Sequence, residues 1–309
     1  GLDFANSNYH VVTLDWRGFY DNNVPVPQGF DRGLDGVDCI EWIRQQPWSN
    51  DTVVTYGGSA LGKIQYQTAR HEPEGLVAIC PQVAYPGTYY DAYFHGGVKM
   101  TAYLEQLDAL GYGLNAIVSA NYVHNNVWQF VEDGNYYMDE IKIPVLSTAG
   151  WYDHNVEGQT AYFDTLIAAG DPGIRDEHKY LVGPWTHGGV EATGPGTLEQ
   201  GELEHPNAEL YAQEYALRFF DYYALGEDNG WDTVSTYTYF NIGSERWAYS
   251  PTWPPEGVQD KPIYLHPFDF SMRDEPVATG EELSFAVDPT NPTPTIGGQT
   301  LSDDLLQGP

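Results

Sequence analysis

A serine that could act as a nucleophile lies between a strand-like run and a helix-like run. The stretch Val53–Gly62 (VVTYGGSALG) runs from β-branched residues into Gly57, Gly58 and Ser59, and a helix-compatible segment follows. A sharp strand-to-helix turn would lift the Ser59 hydroxyl above a sheet, with the helix N-terminus facing developing negative charge. The alternative is a glycine-rich loop with an incidental serine, because the pattern is G-x-S-x-x-G, not the stricter G-x-S-x-G.

Such a serine needs a base and an acid that orients the base, each after a later strand. Asp153 follows the predicted strand Ile143–Ala149 through Gly-Trp-Tyr, and His187 follows the predicted strand Lys179–Val182 through Gly-Pro-Trp-Thr. Their order in the chain is that of the nucleophile, acid and base in hydrolases of this kind. We expect His154, although adjacent to Asp153, to point elsewhere on the turn.

Strand-like and helix-like segments alternate over the first three quarters of the chain, which predicts an α/β doubly wound, mostly parallel sheet. Strands are predicted at Val11–Leu14, Val53–Tyr56, Gly75–Pro81, Ile143–Ala149 and Lys179–Val182. Helices are predicted at 35–46, 63–69, 158–169 and 207–225.

Two regions depart from this alternation and suggest a division into domains. Residues 84–140 are rich in aromatic residues, with helical patterns at about 97–110 and 115–131, which is typical of a cap inserted between strands. Residues 233–309 are β-type with turn residues, including possible strands at Pro262–Leu265 and Leu283–Val287. The predicted core is therefore 1–83 with 141–232.

The strongly negative net charge limits the classes of partner that the protein can bind. The 309 residues carry 44 Asp and Glu against 13 Lys and Arg, a net charge of −31, so binding to nucleic acid or to an anionic membrane is disfavoured. A dispersed acidic surface with few lysines is typical of proteins from salt-loving organisms, because molar salt screens the repulsion. The alternative is an ordinary acidic protein that works at low salt.

The three blocks GGSALGKIQYQTA, TAGWYDHN and LVGPWTHGG resemble those of the cocaine esterase, α-amino acid ester hydrolase and X-Pro dipeptidyl-peptidase family of α/β-hydrolases. The resemblance runs from about Asn8 to Thr300. It implies an α/β-hydrolase core, a helical cap and a C-terminal jelly-roll-like domain. It also implies that Ser59 is the nucleophile, Asp153 the orienting acid and His187 the general base.

The chain departs from the family at the oxyanion site. Ala60 stands where the family usually has tyrosine, but the donor there is the backbone N–H, so the change is tolerable. The resemblance places a second donor, a tyrosine hydroxyl, and the first strands of the fold upstream of residue 1. Three interpretations follow: a fragment of a longer protein, a sheet completed by another chain, or a reduced fold.

The sequence reproduces neither of the substrate pockets that the resemblance offers. Relatives that take α-amino acyl groups have clustered carboxylates, some just after the orienting acid, where this chain has His154, Asn155 and Val156. Relatives that hold aromatic acyl groups have an apolar ring two residues after the acid, where this chain has Asn155. The candidate lining residues are Tyr85, Phe94, Trp151, Asn155 and Trp185, although such aromatics more often pack in a core or cap.

The sequence thus predicts a serine hydrolase that cleaves an ester, an amide or a short peptide through an acyl-enzyme. The alternative is a truncated or degenerate hydrolase fold with a binding or assembly role, as a homo-oligomer or with a second chain that completes the sheet. No cofactor or metal is expected, since the acidic loop at 132–135 lacks the spacing of a calcium site. The cytoplasm of a salt-loving organism is the expected location, and a signal upstream of residue 1 would change it.

Overall fold

A mostly parallel sheet forms the centre of the computed structural model, which describes residues 7–18, 22, 24–27, 29–135, 137–188, 199–200, 203–208, 211–277, 282 and 284–291. In chain order the strands are β1 (Val53–Gly58), β2 (Leu76–Gln82), β3 (Phe94–His95), β4 (Val98–Lys99), β5 (Leu146–Gly150), β6 (Lys179–Gly183), β7 (Glu199–Gln200), β8 (Leu203–Glu204), β9 (Tyr237–Asn241), β10 (Arg246–Ser250), β11 (Tyr264–His266) and β12 (Ser271–Arg273). Within the described residues, the central sheet has the order β1-β2-β5-β6-β9-β10. Its pairs are parallel except β9 with β10.

Helices connect and cover these strands. They are α1 (Gly33–Arg44), α2 (Ala60–Ala69), α3 (Thr101–Ala109), α4 (Asn115–Ala120), α5 (Asn126–Asp133), α6 (Val156–Ala169) and α7 (Tyr211–Leu225). Short 3₁₀ turns occur at Tyr90–Ala92, Met138–Glu140, Arg175–Glu177 and Trp231–Thr233. None of the described helices is long and apolar enough to cross a membrane.

Both faces of the sheet are buried, because alternate residues of its strands point into different clusters. On β2, Ile79 packs in a cluster with residues of α1, α2 and α6, whereas Ala78 and Cys80 pack in a cluster with α7. On β6, Tyr180 packs in the first of these clusters and Leu181 in the second. Helices on both faces of a parallel sheet are the arrangement that the sequence predicted.

The segment 84–140, here called the cap, has its own small core. Phe94, Leu104, Val118 and Trp128 are buried together there. Helix α3 corresponds to the helix predicted at about 97–110, and residues 121–125 divide the helix predicted at about 115–131 into α4 and α5. The hairpin of β3 and β4 was not predicted.

The central sheet extends beyond the predicted end of the core at residue 232. β9 pairs with β6 through Tyr180 and Tyr237, and β10 follows as an antiparallel neighbour. The loss of helical pattern after residue 232 therefore marks a change from α/β alternation to a β hairpin of the same sheet. The residues that could begin a further domain come after Ser250.

Two predicted strands are not found among the described residues. Val11, Val12 and Leu14 belong to no strand and are 57%, 39% and 42% exposed, because no neighbouring strand pairs with them in the described part of the chain. Residues 284–287 also form no strand, while residue 283 lies outside the described residues. The prediction at 262–265 is matched by β11, which pairs with β12.

Candidate active site

Ser59 occupies the turn between β1 and α2. Its backbone has φ 54° and ψ −121°, which residues with a side chain rarely adopt. The Ser59 N–H donates to the carbonyl of Gln82 at 3.0 Å, and the Gln65 side-chain amide donates to the carbonyl of Gly57 at 3.0 Å. These hydrogen bonds hold a strained strand-to-helix turn, the geometry that presents a serine nucleophile.

Close packing at Gly62 keeps α2 against the sheet directly behind this turn. A Cβ atom at Gly62 would lie 2.6 Å from Ala84 Cβ and 3.0 Å from the Gln82 carbonyl oxygen, so a larger residue would displace α2. Ala60 is the first residue of α2. Its N–H therefore has no acceptor within the helix and can donate to a developing oxyanion.

The register of the sheet brings Ser59 and the two later loops to one edge. Gly58, Gln82, Thr148 and Leu181 are successive Cα partners across β1, β2, β5 and β6. Ser59 follows Gly58 directly, and the loops after β5 and β6 begin just beyond this row. Because parallel strands end at the same edge, residues of these loops converge there.

Asp153 and His187 meet at this edge. His187 Nδ1 lies 2.7 Å from Asp153 Oδ1, and the two residues are 5% and 0% exposed. The Asn155 N–H also donates to Asp153 Oδ1, at 3.2 Å. Burial alone would raise the pKa of Asp153, but His187 and His154, by charge and by hydrogen bonds, outweigh this and hold the pKa below its ordinary value.

The second ring nitrogen of His187, Nε2, is not engaged by the Asp153 carboxylate. With Nδ1 on the Asp153 carboxylate, Nε2 carries the lone pair of a neutral imidazole. Nε2 is buried and makes no hydrogen bond among the described residues, so the Ser59 hydroxyl is not yet in hydrogen-bonding geometry with it. Contacts between nucleophile and base often tighten only when substrate binds.

The prediction that His154 points away from the site is wrong. His154 Nδ1 lies 3.2 Å from Asp153 Oδ1, and its ring centre is 4.6 Å from that of His187. The loop is tight, since the Asp153 N–H donates to the Gly150 carbonyl and the Val156 N–H to the Asp153 carbonyl. Consecutive side chains can then face the same side, which the spacing along the sequence does not reveal.

The residues predicted to bind substrate are dispersed. Trp151 is half-buried and its indole N–H donates to the Phe240 carbonyl at 2.8 Å. Asn155 donates to the Val83 carbonyl at 2.8 Å. Phe94 stacks on Tyr90 in the cap core, Trp185 is fully buried in the cluster around α7, and Tyr85 is buried.

Tyr85 comes near the site from the loop after β2. A Cβ atom at Gly158 would lie 2.4 Å from the Tyr85 ring, so the ring rests on the first turn of α6, next to the Asp153 loop. Lys63 Nζ lies 5.6 Å from the centre of the same ring and donates to the Gly87 carbonyl at 2.8 Å. Burial lowers the pKa of Lys63 to about 8, and this cation lies one helical turn after Ser59.

Asp153, His154 and His187 also form the one group of possible metal ligands within the described residues, with donor atoms within 4.8 Å of one another. Zn²⁺ accepts histidine and carboxylate ligands. Both imidazoles, however, direct Nδ1 at a single carboxylate oxygen, which is the geometry of donated hydrogen bonds.

The carboxylate of Glu132, in the acidic loop at 132–135, is engaged by protein groups. It contacts His124 and accepts a hydrogen bond from the Tyr90 N–H.

The fold and the site geometry define the class of an α/β hydrolase. The family model of the X-Pro dipeptidyl-peptidase (S15 family) matches residues 1–129 and 99–189. The chain therefore belongs to the X-Pro dipeptidyl-peptidase (S15) family.

Comparisons with individual proteins agree with this membership. Cocaine esterase of Rhodococcus sp. (strain MB1 Bresler) is 24% identical over 365 residues, which cover 100% of this chain and 62% of the esterase. A CocE/NonD family hydrolase from Staphylococcus aureus superposes with a TM-score of 0.60 at 20% identity, over 85% of this chain and 46% of its own. An aminopeptidase from a marine sediment Thaumarchaeota archaeon gives 0.63 at 19% identity, over 90% and 51%. The chain thus spans about half to three fifths of the length of these relatives.

Proposed function

We propose that this chain is a serine acyl hydrolase in which Ser59 is the nucleophile, His187 the general base and Asp153 the orienting acid. The observation that carries the proposal is the buried 2.7 Å contact between His187 Nδ1 and Asp153 Oδ1, at the sheet edge where the strained Ser59 turn also lies. Family membership and the similarity to a cocaine esterase support it.

Acylation would begin with attack of Ser59 Oγ on the carbonyl carbon of an ester or amide, while the hydroxyl proton passes to His187 Nε2. The oxyanion so formed faces the Ala60 N–H and the N-terminus of α2. The tetrahedral intermediate then collapses, the bond to the leaving group breaks, and the imidazolium returns the proton to that group. Asp153 stays ionised and stabilises the imidazolium.

Deacylation repeats these steps with water as the nucleophile. His187 Nε2 takes a proton from water as the oxygen bonds to the acyl carbon, and it returns the proton to Ser59 Oγ when that ester bond breaks.

The substrates are proposed to be acyl or aminoacyl esters, amides or short peptides. Tyr85 and Trp151 would form part of the pocket wall, whereas Phe94, Asn155 and Trp185 would support it through packing and a backbone hydrogen bond.

We also propose that the protein works in concentrated salt. The net charge of −31 would destabilise the folded state at low ionic strength, and at about 1 M salt the Debye length falls to about 3 Å. Unfolding midpoints measured across a salt series would rise steeply if this is correct. A flat dependence would favour the alternative of an ordinary acidic protein.

The catalytic proposal is tested by labelling with a fluorophosphonate in about 2–4 M salt, where screening is nearly complete. The wild type should be labelled, Ser59→Ala should not, and Ser244→Ala, which removes an exposed serine, should be labelled like the wild type. Turnover of p-nitrophenyl esters should follow the same pattern. A folded wild type without labelling would refute the catalytic role.

A second candidate function is a non-catalytic binding or assembly role. It is favoured by β1, which is the edge strand of the sheet within the described residues, and by the exposure of Val11 and Val12. An unpaired strand edge can add a strand from another polypeptide. This candidate predicts a folded protein that self-associates or binds a partner strand and turns over no ester.

A further inference from the structure

Asp153 holds two histidines, not one. Its Oδ1 atom lies 2.7 Å from His187 Nδ1 and 3.2 Å from His154 Nδ1, and both imidazoles act as hydrogen-bond donors to the carboxylate. His154 is 6% exposed. The proposed mechanism assigns roles to Ser59, Asp153 and His187 only. His154 is a second imidazole, about as buried as His187, to which that mechanism gives no role.

The contacts of Asp153 are concentrated on one oxygen. His187, His154 and the Asn155 N–H all point at Oδ1, whereas Oδ2 is buried without a hydrogen-bond partner among the described residues. A turn of the carboxylate plane away from its present orientation would lengthen these three contacts together. His154 and Asn155 therefore fix the orientation in which the carboxylate meets His187.

His154 also connects the cap to the general base. Its ring centre lies 4.7 Å from that of Tyr103, which belongs to α3 of the cap, and 4.6 Å from that of His187. Tyr103 packs in turn against Tyr93 at 5.9 Å. The His187 ring is thus supported on one side by a chain of ring contacts that begins in the cap.

We propose that His154 is a positioning residue for the proposed hydrolysis: it holds Asp153 Oδ1 toward His187 and supports the His187 ring through its contact with Tyr103. This inference rests on the proposed function, since it assigns a role within the same site. His154 touches neither substrate nor Ser59 in this role, and it acts through Asp153 and His187. A misplacement of about 1 Å in a catalytic group can cost about 10²-fold in rate.

The test compares two substitutions that remove different parts of His154. His154→Phe keeps a ring but loses the donor, and His154→Asn keeps an amide donor at a similar distance from the backbone but loses the ring. We expect His154→Phe to lower kcat about 100-fold with KM within about twofold, and His154→Asn to recover at least about tenfold of that loss. Tyr103→Leu should lower kcat about tenfold, because only the support from the cap is lost.

His178→Phe is the matched control, since it replaces another fully buried histidine that lies outside the site. It should leave kcat unchanged at pH 7. A kcat of His154→Phe within twofold of the wild type would overturn the proposal. So would a loss that appears in KM, or a loss that His154→Asn does not reduce.

A second measurement separates this inference from the proposed function. The proton between His187 Nδ1 and Asp153 Oδ1 should give a strongly downfield NMR resonance in the wild type, in Ser59→Ala and in His154→Asn. It should be shifted or broadened by exchange in His154→Phe. If Ser59→Ala keeps full turnover, the proposed function fails while this readout still decides the role of His154; an unchanged resonance in His154→Phe overturns the positioning role.

Discussion

The two ends of β6 each carry a buried histidine, and the two differ in what surrounds them. His178 precedes the strand, is 1% exposed, and has no hydrogen bond on either ring nitrogen among the described residues. His187 follows the strand and directs Nδ1 at the Asp153 carboxylate. Burial without a partner disfavours the charged form of the His178 imidazole, whereas the Asp153 carboxylate orients the His187 ring.

The comparison extends to the whole sheet. At the carboxyl ends of β1, β5 and β6, loops from three strands bring Ser59, Asp153 and His187 to one edge. At the amino end of β6, burial lowers the pKa of His178 to about 4 and also lowers the pKa of Lys179. Changes at the carboxyl ends should therefore affect catalysis, and changes at the amino ends should affect stability alone.

The largest effect is expected at the carboxyl end, from Asp153→Asn. An amide can present its NH₂ group to His187 and select the wrong tautomer, so kcat should fall about 10⁴-fold. The melting temperature should shift far less than such a loss would suggest, because the side chain keeps its volume. Kinetics with a p-nitrophenyl ester and a thermal scan measure both, and a loss of less than tenfold would contradict the assignment of Asp153.

At the amino end, His178→Phe should change the pH dependence of stability and not activity. The pKa of His178 is about 4 in the folded protein, against 6.5 in the unfolded chain, so between these values the unfolded chain binds more protons. The histidine therefore lowers the free energy of unfolding progressively as pH falls from about 7 to 4, by about 3 kcal/mol in total.

His178→Phe removes this contribution. The difference in unfolding free energy between variant and wild type should grow by about 3 kcal/mol in favour of the variant from pH 7 to pH 4. Urea unfolding at both pH values in the same salt measures it, and taking the difference cancels the titration of the many carboxylates. Parallel pH curves for the two proteins would contradict the prediction.

A smaller effect is expected from Gly150→Ala, where the loops after β5 and β6 touch. A Cβ atom there would lie 2.2 Å from the Trp185 carbonyl oxygen, which accepts the Tyr152 N–H. The substitution should cost about 1–3 kcal/mol of stability and also lower kcat, because it separates the loops that carry Asp153 and His187.

Gly226→Ala is its control, at the end of α7. Gly226 has φ +71° and open space around it, so alanine there should cost about 1 kcal/mol in backbone strain and leave kcat unchanged. Chemical unfolding and steady-state kinetics on both variants distinguish the two. Equal activity in the two variants would show that the contact at Gly150 does not position the loops.

Much of the fold could be predicted from local patterns. The strands β1, β2, β5 and β6 are short apolar runs, and the helices α6 and α7 end at glycines, Gly170 and Gly226, that the sequence shows directly. Strands β9 and β10 lie in the segment 233–309 that the sequence assigns to a second domain, since nothing in an alternating run such as Thr233–Phe240 tells which sheet it joins. Only pairing with β6 decides that.

The candidate site, like the fold, could be predicted from the sequence in part. The sequence by itself determined that Ser59, Asp153 and His187 follow three strands in hydrolase order, because strand ends are local features and parallel strands end together. Tertiary structure alone decided that His154 turns inward to Asp153 and meets Tyr103 from the cap. The direction of a side chain in a tight loop depends on what packs against it, and Tyr103 lies 51 residues earlier in the chain.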